Sequence, residues 1–316
     1  MKLTTAVILA GGKGTRMGQL ETLLPKCLFP VLGKTLLKVQ LEVLADMGVG
    51  VVHVVCSPAV IAALSREARS AVPDLDCRFI TQENPHGSAD ALSRLSGAIS
   101  GPFLLWLGDI HLPAEDVVRM AENFDPARAD GAVGVAVGAD SEEVKKNFSV
   151  ETDRGGRILQ VEEKPVAPAS RVKGVGVYVL PEAVFSVLGR LAKNPRTQAL
   201  ELTDALQAVA DEGFRLLAHP VKGPDFNVNT PADLLALNLR LLGDRESWAG
   251  PGADIAPDAR VEKSVVGAGA QVGRGAVVER SLVFPGAGVE DGARLCRVIV
   301  TEQNSVCPVG GREGGA

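Results

Sequence analysis

The chain is short of positive charge: 33 Lys and Arg stand against 38 Asp and Glu, leaving a net charge of -5 over 316 residues. A general nucleic-acid binder needs a basic surface, so that class is excluded. No apolar run reaches the length of a membrane span, so no membrane partner is expected. The first residues, Met1-Lys2-Leu3-Thr4-Thr5, pass straight into an apolar strand and lack the cleavage pattern of a signal peptide. Cysteine is sparse and odd in number, with Cys27, Cys56, Cys77, Cys296 and Cys307 scattered and no CxxC pair. These read as reduced, mostly buried thiols of a cytoplasmic protein. With only four histidines beside them, no zinc site is indicated. What is not lacking is core: 46% hydrophobic and 22% charged residues describe a folded chain with one large domain and a small one, or two domains.

The most informative segment is Ala6-Val7-Ile8-Leu9-Ala10-Gly11-Gly12-Lys13-Gly14-Thr15-Arg16-Met17. Its apolar run reads as a fully buried strand. The glycines let the backbone turn and approach a ligand closely. A glycine loop leading from a strand into a helix offers free N–H groups to phosphate. Arg16 and, ten residues later, Lys26 supply counter-charge. It is not a Walker loop, because no Lys-Ser or Lys-Thr follows at the required spacing. It is not a dinucleotide fingerprint either: from Gly12 the last position falls on Met17, and residues 49–56 are not followed by a ribose-binding carboxylate.

The whole arrangement, L-A-G-G-x-G-T-R-M followed by P-K-x-L-x-P-V-x-G-K at Pro25-Lys26-Cys27-Leu28-Phe29-Pro30-Val31-Leu32-Gly33-Lys34, resembles the signature of the sugar-1-phosphate nucleotidylyltransferases. The resemblance runs over residues 3–242. One departure is Gln19, where the family often has proline.

Strand and helix signals alternate along the first part: strands at 4–10, 49–56, 77–81 and 103–107, helices at 36–47, 58–70 and 88–99. This pattern predicts an α/β fold, a Rossmann-like, mostly parallel sheet covered on both faces, the nucleotidyltransferase fold of the resemblance. Ligands in such sheets sit at the carboxyl ends of the strands, where the glycine loop and Gly108-Asp109 both fall. Strands follow at 131–138, 148–151, 158–162 and 174–180, with a hairpin turn at Asp153-Arg154-Gly155-Gly156. Helices are expected at 181–192 and 202–212, a strand at 216–220, and a helix at 231–242 opened by Thr230 as cap and Pro231 as its first residue. Residues 247–252 read as a linker. Beyond it Ile255, Val261, Val266, Val272, Val278, Phe284 or Val283, Val289 and Leu295 recur near every sixth residue, with one unit of five. That period predicts a small C-terminal left-handed β-helix of about three coils. The domains are then 1–246 and 247–316, with the Gly-rich tail 303–316 not expected to be well ordered.

The resemblance assigns roles to residues outside the first loop. Leu9, Ala10, Gly11, Gly12, Gly14 and Thr15 would line the nucleotide. In Gln82-Glu83-Asn84-Pro85-His86-Gly87-Ser88-Ala89, the family's Q-x-x-x-x-G-x-A segment, Gln82, Gly87 and Ser88 would meet the base. A glutamine amide offers a donor and an acceptor, which suits uracil or thymine. Asp109 would be the metal aspartate, with Mg2+ as the cofactor of a nucleoside triphosphate. In Val161-Glu162-Glu163-Lys164-Pro165, Lys164 would hold the sugar phosphate and Glu163 the sugar hydroxyls, with Glu162 the next candidate; Gly176 would lie against the sugar. In Asp225-Phe226-Asn227-Val228-Asn229-Thr230-Pro231 most relatives place a second metal aspartate at the position of Asn227, while some uridylyl-transferring relatives use an asparagine best matched by Asn229. His86 and His111 read as loop histidines without an acid–base task, because a phosphate monoester is already a nucleophile.

The reaction implied is nucleoside triphosphate (UTP or dTTP favoured) plus sugar 1-phosphate giving a nucleotide sugar and pyrophosphate, with Arg16, Lys26 and Lys164 as the catalytic cations. The alternative is a catalytically weak, nucleotide-sugar-binding regulatory subunit of the same fold, which the neutral Asn227 favours. Acyl transfer by the β-helix is disfavoured, since residues 250–316 contain no histidine. The short β-helix is expected to make subunit contacts in a homo-oligomer.

Overall fold

The computed structural model describes residues 3–12 and 14–309. The chain forms two compact units, one of Met1–Gly12 with Leu37–Asp225 and one of Lys13–Leu36 with Phe226–Ala316.

The first unit is built on a nine-stranded mixed sheet. Its strands are β1 (Thr5–Leu9), β2 (Val51–Cys56), β3 (Asp76–Thr81), β4 (Phe103–Leu107), β5 (Gly131–Val137), β6 (Phe148–Thr152), β7 (Ile158–Glu163), β8 (Val172–Leu180) and β9 (Leu216–Pro220). They lie in the order β7-β6-β8-β4-β1-β2-β3, with β5 paired to β8 and β9. β1 is buried almost throughout because it is central, parallel to β2 on one side and β4 on the other. β8 runs antiparallel to β4 and β5, with a register shift between Gly174 and Tyr178. The hairpin turn falls where expected, and Asp153 Oδ1 accepts from the N–H groups of Gly155 (2.8 Å) and Arg157 (2.9 Å).

Helix α1 (Leu36–Asp46) buries Leu37, Gln40, Leu41 and Leu44 along one stripe. It is followed by α2 (Ile61–Ala71), α3 (Ser88–Ser93), α4 (Ala114–Asn123), α5 (Ser141–Lys146), α6 (Val184–Leu188) and α7 (Leu202–Asp211). Two expected helices are shorter than predicted. α3 stops at Ser93, whose hydroxyl bonds back to the Asp90 carbonyl (2.7 Å) ahead of Gly97 at φ +78°. α6 occupies only the middle of 181–192 and ends at Gly189. No helix among the described residues is long and apolar enough to cross a membrane.

In the second unit α8 (Pro231–Leu242) opens with a full capping box, Thr230 Oγ1 accepting from Asp233 N and Asp233 accepting from Thr230 N. After it the chain winds into stacked parallel strands. Ser247–Ala249, Ser264–Val266, Leu282–Val283 and Val298–Val300 form one face; Asp254–Ile255, Gln271–Val272 and Gly288–Val289 a second; Arg260–Glu262, Val277–Glu279 and Arg294–Cys296 a third. Val265 pairs with Leu282 and Leu282 with Ile299, so each coil takes seventeen residues, two sides of six and one of five. Lys263, Arg280 and Arg297 turn one corner at φ +45°, +44° and +54°. The serines after the first two turns stitch the stack: Ser281 N–H donates to Ser264 Oγ (3.0 Å) and Val298 N–H to Ser281 Oγ (3.1 Å).

Two expectations are corrected here. The segment read as a linker begins the β-helix, with Ser247–Ala249 parallel to Ser264–Val266 and Trp248 lying over Gly33. An indole beside Gly-Pro-Gly looks like a loop in sequence but fills the apolar position of a coil. The tail is not wholly irregular either: Val306–Pro308 pairs antiparallel with Val298–Val300 and covers an otherwise open edge. Residues 310–316 of that expectation lie outside the described residues.

One apolar core runs through this unit, joining Met17, Leu20, Phe29 and Val31 to Leu234, Leu237, Val266 and Phe284. The Phe29 and Phe284 rings sit 6.2 Å apart. Buried Asn238 fixes the 30–33 turn: its Oδ1 accepts from Leu32 N (2.8 Å) and its Nδ2 donates to Pro30 O (2.9 Å).

Candidate active site

In the first unit, the glycines after β1, Gln82 after β3 and Asp109 after β4 occupy the carboxyl ends of parallel strands. Backbone groups at the start of the loop are used by the sheet: Ala10 N donates to Val55 O (2.8 Å) and Leu9 O accepts from Gly108 N (2.9 Å). Gly11 has a packing reason to be glycine, since a Cβ there would stand 2.7 Å from Gln82 Oε1. Gly12 is exposed and a Cβ there would meet nothing within 4 Å.

Gln82 is 2% exposed. Its Nε2 donates to Asp90 Oδ2 (2.6 Å) and to Gly87 O (3.3 Å). Gly87, at φ +129°, lies so close to Leu200 that a Cβ would collide with the Leu200 carbonyl. The Ser88 hydroxyl is engaged with α7, accepting from Leu202 N (2.9 Å) and donating to Glu201 Oε2 (3.4 Å).

Asp109 lies in a tight turn. Gly108 lets β4 end against β1, because a Cβ at 108 would be 2.9 Å from Leu9 O. Gln40 clamps the turn from α1, its Nε2 donating to Leu107 O (2.9 Å) and Ile110 O (3.0 Å), and Trp106 Nε1 adds a bond to Ile110 O (3.1 Å). His111, expected in a loop, is instead buried in the short strand Ile110–His111, where burial pushes its pKa down to about 4 and keeps it neutral.

At the end of β7, Glu163 Oε1 pairs with Lys164 Nζ (3.1 Å) and Glu163 Oε2 accepts from buried Thr203 (3.1 Å). Burial raises the Glu163 pKa first of all; the Lys164 charge works against that and Glu201 adds to it. Lys164 is held at φ +42°, unusual for a residue with a side chain, by its N–H to Asn147 O (2.7 Å) and by Arg196 donating to its carbonyl. Gly176, at φ +76° in the register shift of β8, would place a Cβ 2.7 Å from Ile110 Cγ1. The fully buried phenol of Tyr178 is driven upward in pKa by burial first and then by the charges of Glu163, Asp109 and Glu201.

The second unit holds the loop cations. The glycines do not lead straight into an α-helix as expected; Thr15–Thr22 forms 3-10 turns broken at Gly18 (φ +56°), and Lys26–Leu28 another. The loop therefore offers side chains more than the N-terminus of an α-helix. Gly14 (φ +72°) closes the first turn through Met17 N to Gly14 O (2.8 Å), and Thr15 is exposed. Arg16 Nη2 and Lys26 Nζ both donate to Asn229 Oδ1, each at 2.7 Å, and Asn229 Nδ2 donates to Asn227 Oδ1. Two cations thus focus on one neutral oxygen.

Asp109 is a hard oxygen donor of the kind magnesium takes, and among the described residues no three His, Cys, Asp or Glu side chains form a cage. A donor set this sparse fits a hydrated cation held by one or two protein oxygens and substrate phosphates. Asn229 fits less well, because its carbonyl oxygen already faces two cations.

Sequence reasoning missed Gln40, Asp90, Thr203 and Arg196. Gln40 had a signal, a polar side chain within the apolar stripe of α1. The others act through tertiary partners that no local pattern announces.

Residues 5–242 match the nucleotidyl transferase family, and the chain belongs to it. Residues 245–311 match the GlmU-like C-terminal hexapeptide family. Among characterised relatives, the low-salt glycan biosynthesis nucleotidyltransferase Agl11 of Haloferax volcanii is 28% identical over 81% of this chain and 71% of its own length. A glucose-1-phosphate thymidylyltransferase of Streptomyces griseus is 30% identical over 76% and 67%, and a glucose-1-phosphate adenylyltransferase of Bacillus cereus 26% over 83% and 77%. The fold is shared with a UDP-glucose pyrophosphorylase solved with UDP-glucose, at TM-score 0.68 and 20% identity, covering 77% of this chain and all of that one.

Proposed function

We propose that this protein transfers a nucleotidyl group from a nucleoside triphosphate, UTP or dTTP by preference, to a sugar 1-phosphate. A phosphate oxygen of the sugar 1-phosphate attacks the α-phosphorus in line. The bond from that phosphorus to the bridging oxygen breaks, and pyrophosphate leaves. Such chemistry needs positioning and charge stabilisation more than proton transfer, in keeping with a buried, neutral His111.

The observation that carries this reading is the convergence of Arg16 and Lys26 on Asn229 Oδ1. Asn229 is a neutral amide, so it brings the two cations together without adding a charge of its own, an arrangement suited to an anionic ligand. Arg16 is assigned to the leaving β- and γ-phosphates, Lys26 to the α-phosphate, and Lys164, paired with Glu163, to the sugar phosphate. Glu163 and the close backbone at Gly176 are assigned to the sugar, and Gln82 with the Leu9–Gly12 backbone to the base. Asp109 would hold magnesium, which would screen the triphosphate when bound; Asn227 remains a candidate oxygen donor in the second unit. That relatives are named for transfer to glucose 1-phosphate supports the sugar phosphate as acceptor.

A second reading is a nucleotide-sugar-binding subunit with little turnover. It is favoured by the neutral amides at 227 and 229, neither of which brings charge to a metal. Pyrophosphate release measured across UTP, dTTP, ATP, GTP and CTP with a panel of sugar 1-phosphates separates the two. Release that depends on a sugar 1-phosphate supports transfer; binding of nucleotide sugars without release supports the subunit.

A further inference from the structure

Gln82 is an amide, and an amide can face a base in either of two ways. Turned one way it offers an acceptor; turned the other, a donor. Three features around it decide the matter. Asp90, in the first turn of α3, takes Gln82 Nε2 at 2.6 Å on Oδ2, and a carboxylate accepts but does not donate, so only the NH2 end of Gln82 can face it. The Gly87 carbonyl, 3.3 Å away, is another pure acceptor on the same side. Asp90 is itself pinned: Arg94 Nη2 reaches its Oδ1 (3.1 Å) and the His86 N–H its Oδ2 (3.4 Å). Burial pushes the Asp90 pKa upward, but the hydrogen bonds from Gln82 and His86 and the Arg94 charge outweigh it, so the group stays ionised at neutral pH. Gln82 Oε1 is thereby turned away from Asp90, toward Gly11.

Building on the nucleotide-binding reading above, we infer that Asp90 selects the base by fixing the Gln82 amide with its carbonyl outward, an acceptor that fits the N3–H of uracil or thymine and opposes the bare N3 of cytosine. UTP and CTP have the same ring size and differ only on this edge, so their affinity ratio reports the amide's orientation. A buried acceptor facing a lone pair leaves both unpaired, a mismatch of about tenfold to a hundredfold in affinity.

Asp90→Asn is the informative change. Arg94 would draw the new carbonyl toward itself, leaving the new NH2 where Oδ2 stood. That NH2 would face the Gln82 NH2 and the His86 N–H, donor against donor, so the short contact that holds the Gln82 carbonyl outward is lost and only the longer one to Gly87 O remains. Asp90 is a positioning residue in this account, acting through Gln82.

The test is calorimetric titration of the full chain with UTP, CTP and inorganic tripolyphosphate in magnesium. For the wild type, UTP is expected to bind at least about tenfold tighter than CTP. For Asp90→Asn the UTP-to-CTP ratio is expected to fall at least about tenfold, with tripolyphosphate affinity within about twofold of wild type. A second measurement needs no variant: UTP methylated at N3 should bind the wild type at least about tenfold more weakly than UTP. An unchanged ratio in folded Asp90→Asn, or equal binding of the methylated nucleotide, overturns the inference while leaving the nucleotide site standing. Failure of UTP, CTP and tripolyphosphate all to bind the wild type overturns the nucleotide reading itself.

Discussion

The Arg16 guanidinium and the Asn229 side-chain oxygen meet at 2.7 Å although 213 residues separate them in the chain. Lys26 reaches the same oxygen at 2.7 Å. Both cations are held by an amide that carries no charge of its own.

That relationship predicts the effect of Asn229→Asp. A carboxylate at 229 would form ion pairs with both cations and cancel the charge that a polyphosphate needs. Pyrophosphate affinity, titrated at low salt, should fall at least about tenfold, and the loss should shrink as salt screens the new pairs. Unchanged or tighter pyrophosphate binding would contradict the assignment of these cations.

Glu163 makes a prediction about pH. Burial is the main cause of its raised pKa, so the folded protein binds its proton more tightly than the unfolded chain does. A carboxyl raised in this way favours folding most at low pH, and that contribution is lost as pH climbs from the ordinary carboxylate value through the raised one. Glu163→Gln removes the buried charge while keeping an acceptor for Thr203. Its melting temperature should exceed wild type at pH 7 and converge with it near pH 4, while the KM for sugar 1-phosphate rises at least several-fold. A variant less stable than wild type at pH 7 and equally active would refute both halves.

Phe284 sits in the β-helix, and its ring lies 6.2 Å from that of Phe29, three residues beyond Lys26. Phe284→Ala should cost about 3–5 kcal/mol of stability in chemical denaturation, as expected for a fully buried aromatic. Because the same core carries Met17, Leu20 and Phe29, the KM for the nucleoside triphosphate should rise as well. A stability loss with no change in that KM would mean that the hexapeptide coils do not position the cation loop.

Much of this was legible in the sequence because it depends on local physics. The buried run of β1, the glycines after it, the Thr230 cap and the six-residue period each leave a signature in a few neighbouring residues. The coil length of seventeen was foreshadowed by the single five-residue unit. What the sequence hid depends on partners far away along the chain. Trp248 looks like part of a linker until Val265 is set beside it one coil later. The helix expected after the glycines gives way to 3-10 turns because Gly18 adopts a positive φ that breaks it. Asp90 reads as an ordinary first-turn acid of a helix; only the fold reveals that it holds Gln82. Arg16 and Lys26 stand out in the sequence as two of three candidate cations, with Lys164, but the oxygen that the first two share comes from Asn229, more than two hundred residues away.

The most direct test of the central claim is the rate of pyrophosphate release from UTP or dTTP, with sugar 1-phosphate and magnesium, in wild type and Arg16→Ala. Arg16 is exposed, so the variant is expected to fold with wild-type melting behaviour. Loss of one preorganised donor on the leaving phosphates should slow turnover at least about a hundredfold. A folded Arg16→Ala protein that releases pyrophosphate at close to the wild-type rate would contradict the account.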